Sequence, residues 1–280
     1  MRFLDVKTDY AFKRVFGSEQ SKAVLLSFLN AVLDYSGEHA IVDLVIVDPY
    51  QVPVIQGMKD TYVDVQANLA NGKRAIIEMQ VLNVKGFEQR ILYNAAKAYG
   101  RQLQRGEEYD LLNPVIALTL TDFVLFEDSA AHISRFKLLE KDRLTSYSDD
   151  IELLFVELPK FVKTVTELAS DQDRWLYFVK HAGRLQDIPS GMRTDPALVA
   201  AFAMANESAL TEEELDLQHK RHDFILLQRG SLEKAELTGL AKGRQEGRQE
   251  GRREALVEAV ARLVAAGMSE DEARRTLGLG

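Results

Sequence analysis

Residues 61–82 read TYVDVQANLANGKRAIIEMQVL, and this stretch decides the fold. Two β-prone runs, Thr61 to Leu69 and Lys73 to Leu82, flank Asn71-Gly72, the dipeptide that most favours a tight turn between antiparallel strands. The reading is a β-hairpin. Period-two alternation puts Asp64, Gln66 and Asn68 on one face of the first strand, with Val63, Val65 and Ala67 on the other. On the second strand Ile76, Glu78, Gln80 and Leu82 share a face opposite Ile77, Met79 and Val81. Asp64 and Glu78 thus come onto adjoining strands within the apolar contexts YVDV and AIIEMQV. Unpaired buried carboxylates are costly, so the two call for a cation.

Outward from the hairpin, residues 8–33 read as two helices separated by Gly17, with Phe12, Val15 and Phe16 on one and Val24, Leu25, Phe28, Leu29 and Val32 on the other. Ile41 to Val47 (IVDLVIV) reads as a buried strand stopped by Asp48-Pro49. After Gly86, FEQRILYNAAKAYGRQLQR reads as a helix whose residues Arg90, Lys97 and Arg101 fall within about 20° of one exposed line. Residues 114–121 and 151–158 are further strands, and the polar region between them has some helical character. From Pro159 to about Gly230 the pattern is helical, with Trp175, Phe178 and Val179 on one face and no second sheet. The expected organisation is a mixed α/β core over residues 1–158, a helical extension over 159–232 and a charged tail over 233–280.

In that tail Gly239, Gly243, Gly247 and Gly251 recur every fourth residue, each costing a helix about 1 kcal/mol relative to alanine. Alone, the segment is weakly helical at best. Formed as a helix, it carries Arg244, Arg248 and Arg252 on one flank of the glycine stripe and Glu246, Glu250 and Glu254 on the other. Two such helices in parallel set arginine against glutamate, so the tail is expected to make a homo-oligomer; a solvated flexible or fraying helix is an equally good reading. Beyond it, a helix ends at Gly267, and Ser269 with Glu272 forms a capping box that opens a last short helix.

Composition removes several classes of function. The chain has 280 residues, no cysteine, 46% hydrophobic and 28% charged residues, which excludes a disulfide framework, thiolate metal sites and cysteine nucleophiles. No apolar run approaches a bilayer span and the opening lacks a continuous hydrophobic signal region, so a cytoplasmic protein without membrane attachment is expected. No Walker loop, dinucleotide fingerprint or G-x-S-x-G appears, so no nucleotide cofactor is expected. His219 and His222 sit in a strongly polar run and read as solvated. The net charge is −8, yet Lys73 to Arg105 holds seven basic residues against Glu78 and Glu88, which leaves one positive surface for a polyanion.

Two carboxylates, with waters and substrate phosphates, are the usual enzymatic setting of magnesium, and Asp64 and Glu78 supply that minimum. The ion would acidify a water and neutralise charge on a phosphodiester. Gln80 shares the face of Glu78 and could orient that water, but being neutral it stabilises no anion. Taken alone, Asp, thirteen residues and then Glu-x-Gln is more often a pair of strand-edge residues. Arg90, Lys97 and Arg101 are candidate phosphate contacts, or else a solvated basic face.

The order Asp-x13-Glu-x-Gln across an Asn-Gly hairpin, followed by a helix, resembles the PD-(D/E)XK nuclease superfamily, with Gln80 in place of the usual lysine and Asp60 in place of a Pro-Asp pair. A closer resemblance covers residues 5–125 and continues more loosely to the end. TDYAFKRVFG (8–17), SFLNAVL (27–33), IIEMQV (76–81), the run from Phe87 to Phe123 and the glycine-punctuated tail together resemble the Rpn family of recombination-promoting nucleases, also described as PD-(D/E)XK nuclease family transposases. The resemblance implies an α/β (α+β) restriction-endonuclease-like core, a mixed sheet flanked by helices, with a helical C-terminal region. It further implies a divalent-metal-dependent DNA endonuclease, with Asp64, Glu78 and Gln80 on the active-site motif and Mg2+, Mn2+ or Ca2+ held by Asp64 and Glu78. Glu-x-Gln is a form that family itself uses. Gln89 and Tyr93 match a Q-x3-Y motif found on the DNA side of some superfamily members, although a tyrosine so placed is more often packed. Asp9 and Lys13 fall in the N-terminal block and read as a helix cap or local ion pair. The alternative function is a catalytically inactive, oligomeric DNA-binding or interaction protein on the same scaffold.

Overall fold

A computed structural model describes residues 2–51 and 61–279, so Asp60 lies outside the described residues. The chain divides into two compact units, Met1–Ile225 and Leu226–Gly280. In the first, β1 (Leu44–Val47), β4 (Val65–Leu69), β5 (Arg74–Gln80), β6 (Val115–Thr121), β8 (Ser146–Glu157) and β7 (Ile133–Leu139) form, in that order, one six-stranded mixed sheet. The pairs β5·β6 and β6·β8 are parallel and the others antiparallel. A short ribbon, β2 (Tyr50–Gln51) with β3 (Thr61–Tyr62), stands apart.

The β4–β5 hairpin forms as expected, with Ala67 opposite Ala75 and Asn68 opposite Arg74. Its turn holds three residues, Ala70 to Gly72, closed by Leu69 N–H to Lys73 O (2.8 Å). Gly72 has φ +85°, the left-handed conformation such a loop needs. Alternation fails at one point. Asp64 sits in a bend before β4, so Val63 packs with Ile76 and Ala95 while Val65 packs on the opposite face. The first strand starts at Leu44 rather than Ile41, because the Asn30 carboxamide takes both the N–H and the C=O of Ile41 (2.8 and 2.9 Å).

Helices cover both faces. On one lie α1 (Asp9–Phe16), α2 (Lys22–Leu33), α4 (Asp171–His181) and α5 (Pro196–Met204), around Phe16, Phe28, Trp175, Phe178 and Phe202. Successive rings in that chain have centroids 4.6–5.8 Å apart, within the range of favourable aromatic contact. Burial of Trp175, Phe178 and Val179 bears out the helical reading of that region. The other face is covered by α3 (Phe87–Gly100), which joins β5 to the parallel β6 and packs Ile91, Ala95 and Ala98 onto the sheet.

The region between β6 and β8 corrects the helical expectation. It contains β7, an edge strand whose residues are mostly exposed, paired with a β8 that begins at Ser146. An edge strand with most of its residues exposed carries little apolar alternation, so its sequence does not announce it.

Helix α6 (Glu212–Ala265) contains all four repeat glycines, so the segment is helical despite its composition. In the second unit, Gly267 at φ +98° ends α6: its N–H reaches Val264 O (3.0 Å) and that of Met268 reaches Leu263 O (3.2 Å). Ser269 and Glu272 then cap α7 (Glu270–Thr276) reciprocally, as read from the sequence.

Candidate active site

The hairpin and the two helices that flank it hold the chemistry-bearing residues in two groups, Asp64 with Lys13 and Asp9 of α1, and Glu78 and Gln80 with Arg90 of α3. Asp64 is held by its backbone and its side chain at once: its N–H donates to Ile77 O (3.1 Å), and its Oδ2 accepts from Met79 N–H (2.7 Å). The carboxylate is thereby fixed to the peptide that follows Glu78. Its Oδ1 lies 3.6 Å from Lys13 Nζ on α1, and Lys13 is also paired with Asp9 at 2.6 Å. Asp9 in turn accepts from Arg221 of α6 (3.1 Å). Asp9 and Lys13, read from sequence as a local ion pair, form one that reaches across to the motif aspartate.

Burial dominates the electrostatics of Asp64, pushing its carboxyl from 3.8 up to about 7; Met79 N–H opposes the shift, Asp9 adds to it and Lys13 opposes it. Burial works the same way on Asp9, but Lys13, the shared hydrogen bond with Asp64, and Arg221 outweigh it and lower that carboxyl. The pair thus splits into one acid that ionises readily and one that resists.

Glu78 faces the other helix. Burial raises its carboxyl, while the Arg90 guanidinium and the Asn94 carboxamide, both from α3, pull it back. Arg90 Nη2 bonds Glu78 Oε1 and, at 2.7 Å, Gln80 Oε1. Gln80 completes the arrangement by donating Nε2 to Leu82 O (2.7 Å). The charged partners of the two motif acids therefore come from opposite sides, α1 for Asp64 and α3 for Glu78. Among the described residues, no three His, Cys, Asp or Glu side chains converge as a ready-made metal cage.

The basic line expected on α3 is corrected. Asn94 lies about 40° from Arg90 on the same side of the helix and is 1% exposed; Lys97 is 4% exposed, its Nζ 5.9 Å over the ring of Tyr93. The line faces the sheet rather than solvent, which leaves partly exposed only Arg90, engaged with Glu78 and Gln80, and Arg101 at the helix end. Gln89 is exposed and Tyr93 half-buried. An asparagine among Ile91, Ala95 and Ala98 was the available signal that this face turns inward.

The donor set suits a hard divalent cation. Asp64, Glu78 and Gln80 offer only oxygen, and the two acids are buried enough that burial disfavours their charge. Two carboxylates leave the remaining positions to water and phosphate, as magnesium takes them.

No curated protein and no solved structure matches the chain significantly. Residues 6–235 match the family model described as PD-(D/E)XK nuclease family transposase, a span that includes α1, the hairpin, α3 and the start of α6. With 230 of its 280 residues inside that match, the chain belongs to the PD-(D/E)XK nuclease family transposases.

Proposed function

We propose that the protein is a divalent-metal-dependent DNA endonuclease, with Asp64 and Glu78 as the metal ligands and Gln80 as the residue that orients the attacking water. The observation that carries this reading is the pair of half-buried acids at the open end of one hairpin, Asp64 bonded across to Ile77 O and to the Met79 N–H that follows Glu78. When bound, Mg2+, Mn2+ or Ca2+ supplies charge neutralisation at the phosphodiester and a more acidic water. Met79 N–H holds Asp64 in one orientation, and Lys13 biases that carboxylate toward its charged, ligating form. Gln80 Oε1 accepts from Arg90 and keeps a second lone pair for the water. Arg101 and Gln89 are the accessible contacts for DNA at either end of α3, with Tyr93 beside them.

The tail adds self-association through the stripe of Gly239, Gly243, Gly247 and Gly251, which is exposed on α6 and open on all four. Sedimentation of the chain truncated at Leu240 tests this: an unchanged oligomeric state rejects it. The other reading, a DNA-binding or interaction protein that does not cut, is favoured by one fact: Glu78 already has a cation in Arg90. Plasmid nicking in Mg2+, Mn2+ or Ca2+ separates the two. Cutting that disappears in Asp64→Ala while binding remains supports the nuclease, and binding without cutting in every metal supports the alternative.

A further inference from the structure

The reaction centre on β5 is short of fixed positive charge. Gln80 is neutral, Asp64 and Glu78 are acidic, and a phosphodiester brings more negative charge, which hydrolysis concentrates on the phosphoryl oxygens. Lys13 does not fill the gap, since its ammonium is held 2.6 Å from Asp9 on the side of α1. The cation that reaches Glu78 and Gln80 comes from the first turns of α3.

Arg90 touches both motif side chains through a single nitrogen, Nη2. A guanidinium has five N–H donors in a planar fork, so most of its capacity is unspent. Nε is buried with no hydrogen-bond partner, and Nη1 makes no hydrogen bond with any described residue. The side chain is anchored on the Phe87 ring, 5.6 Å from its centroid, yet remains 41% exposed, and since Nε is buried, Nη1 is the nitrogen left to meet an incoming ligand. A guanidinium N–H is a charge-assisted donor to a phosphate oxygen.

We propose that Arg90 supplies the charge that position 80 lacks: it holds Glu78 and Gln80 through Nη2 and donates from Nη1 to a non-bridging oxygen of the scissile phosphate. The inference rests on the nuclease reading above. It reassigns Arg90 from one of several backbone contacts along α3 to a catalytic residue at the centre, and it identifies Gln80 and Arg90 as a split pair: one orients, the other carries charge. Because Gln80 Oε1 lies 2.7 Å from Arg90 Nη2, a lysine at position 80 would bring its ammonium to nearly the same point.

That proximity gives the test. Arg90→Gln, Arg90→Lys and the double variant Gln80→Lys/Arg90→Gln are compared with wild type by single-turnover nicking of supercoiled plasmid in Mn2+, by Mn2+ affinity from electron paramagnetic resonance, and by thermal melting. Arg90→Gln is expected to cut about a hundredfold more slowly. Its Mn2+ affinity should be equal or tighter, because the guanidinium no longer shares Glu78 Oε1. The double variant should recover to within about tenfold of wild type, the loss that imperfect placement of the charge would leave. Unchanged cutting in Arg90→Gln overturns the inference. So does joint loss of cutting and Mn2+ affinity, which would make Arg90 a brace for Glu78, or a folded double variant no faster than Arg90→Gln. Should Arg90→Gln fail to fold, Arg90→Lys decides: a folded protein that cuts within about tenfold of wild type supports the charge assignment, and one that does not cut rejects it. A wild type that cuts in no metal overturns the nuclease reading and this inference together, whereas a wild type that cuts as fast as Arg90→Gln overturns the inference alone.

Discussion

Replacing Asp64 by asparagine should remove activity and stabilise the metal-free protein. The carboxyl, 15% exposed, is raised by burial from 3.8 to about 7 in the folded chain. The folded protein thus binds this proton more tightly than the unfolded one, so stability falls as pH rises through that interval and is level above it. The shift sets a ceiling of about 4 kcal/mol on the cost of the charged form, and relaxation around the site brings the expected value nearer about 2 kcal/mol. Asparagine keeps an oxygen for Met79 N–H and drops the charge. In chelator at about pH 8, Asp64→Asn should melt on the order of 5 °C above wild type, and the gap should close at about pH 4, where both side chains are neutral. Added Mg2+ should raise the melting temperature of the wild type alone. Differential scanning calorimetry across pH reads all three. A variant that melts below wild type at about pH 8, or a gap independent of pH, would refute the argument.

Other outcomes follow from the same structure. Arg101→Ala should lower the salt dependence of DNA binding by about one counter-ion, whereas Lys97→Ala should leave that slope unchanged and lower the melting temperature, as measured by binding titrations at several salt concentrations. Burial alone would raise the Asp173 carboxyl, but Lys163 and the N–H groups of Ala169 and Ser170 outweigh it and hold it below 3.8. Its contribution is therefore present above that pH and lost as pH falls through the folded value, and Asp173→Asn should cost about 1–3 kcal/mol in urea unfolding at neutral pH. Gly183→Ala would place a Cβ 2.8 Å from Cα of Asp5, and the backbone shift should destabilise by about 1–3 kcal/mol in the same assay.

What the sequence made legible was carried by local chemistry. Asn71-Gly72 predicts the hairpin because the turn needs a left-handed residue, and Gly72 adopts that conformation. Gly267, Ser269 and Glu272 predict the end of α6 and the start of α7 because both caps are satisfied within a few residues. What was not legible depends on neighbours distant in sequence. β7 is exposed, so its pairing with β8 left no periodic mark. Val63 leaves the alternating pattern because Asp64 sits in a bend whose cross-strand bonds go to Ile77 and Met79. The basic line on α3 has the spacing of an exposed stripe, but spacing does not say which way a helix faces; the crossover from β5 to β6 turns Asn94 and Lys97 inward. That same turn delivers Arg90 to Glu78, a contact between residues twelve apart that no motif spacing encodes.

The central claim is that Asp64 and Glu78 grip one ion. Anomalous diffraction from a crystal soaked in Mn2+ tests it most directly. The account predicts a single strong peak about 2.1 Å from an oxygen of each carboxylate, with the Arg90 guanidinium moved off Glu78 Oε1. A peak that touches only one of the two acids, or none at the hairpin while the ion binds elsewhere, would contradict it.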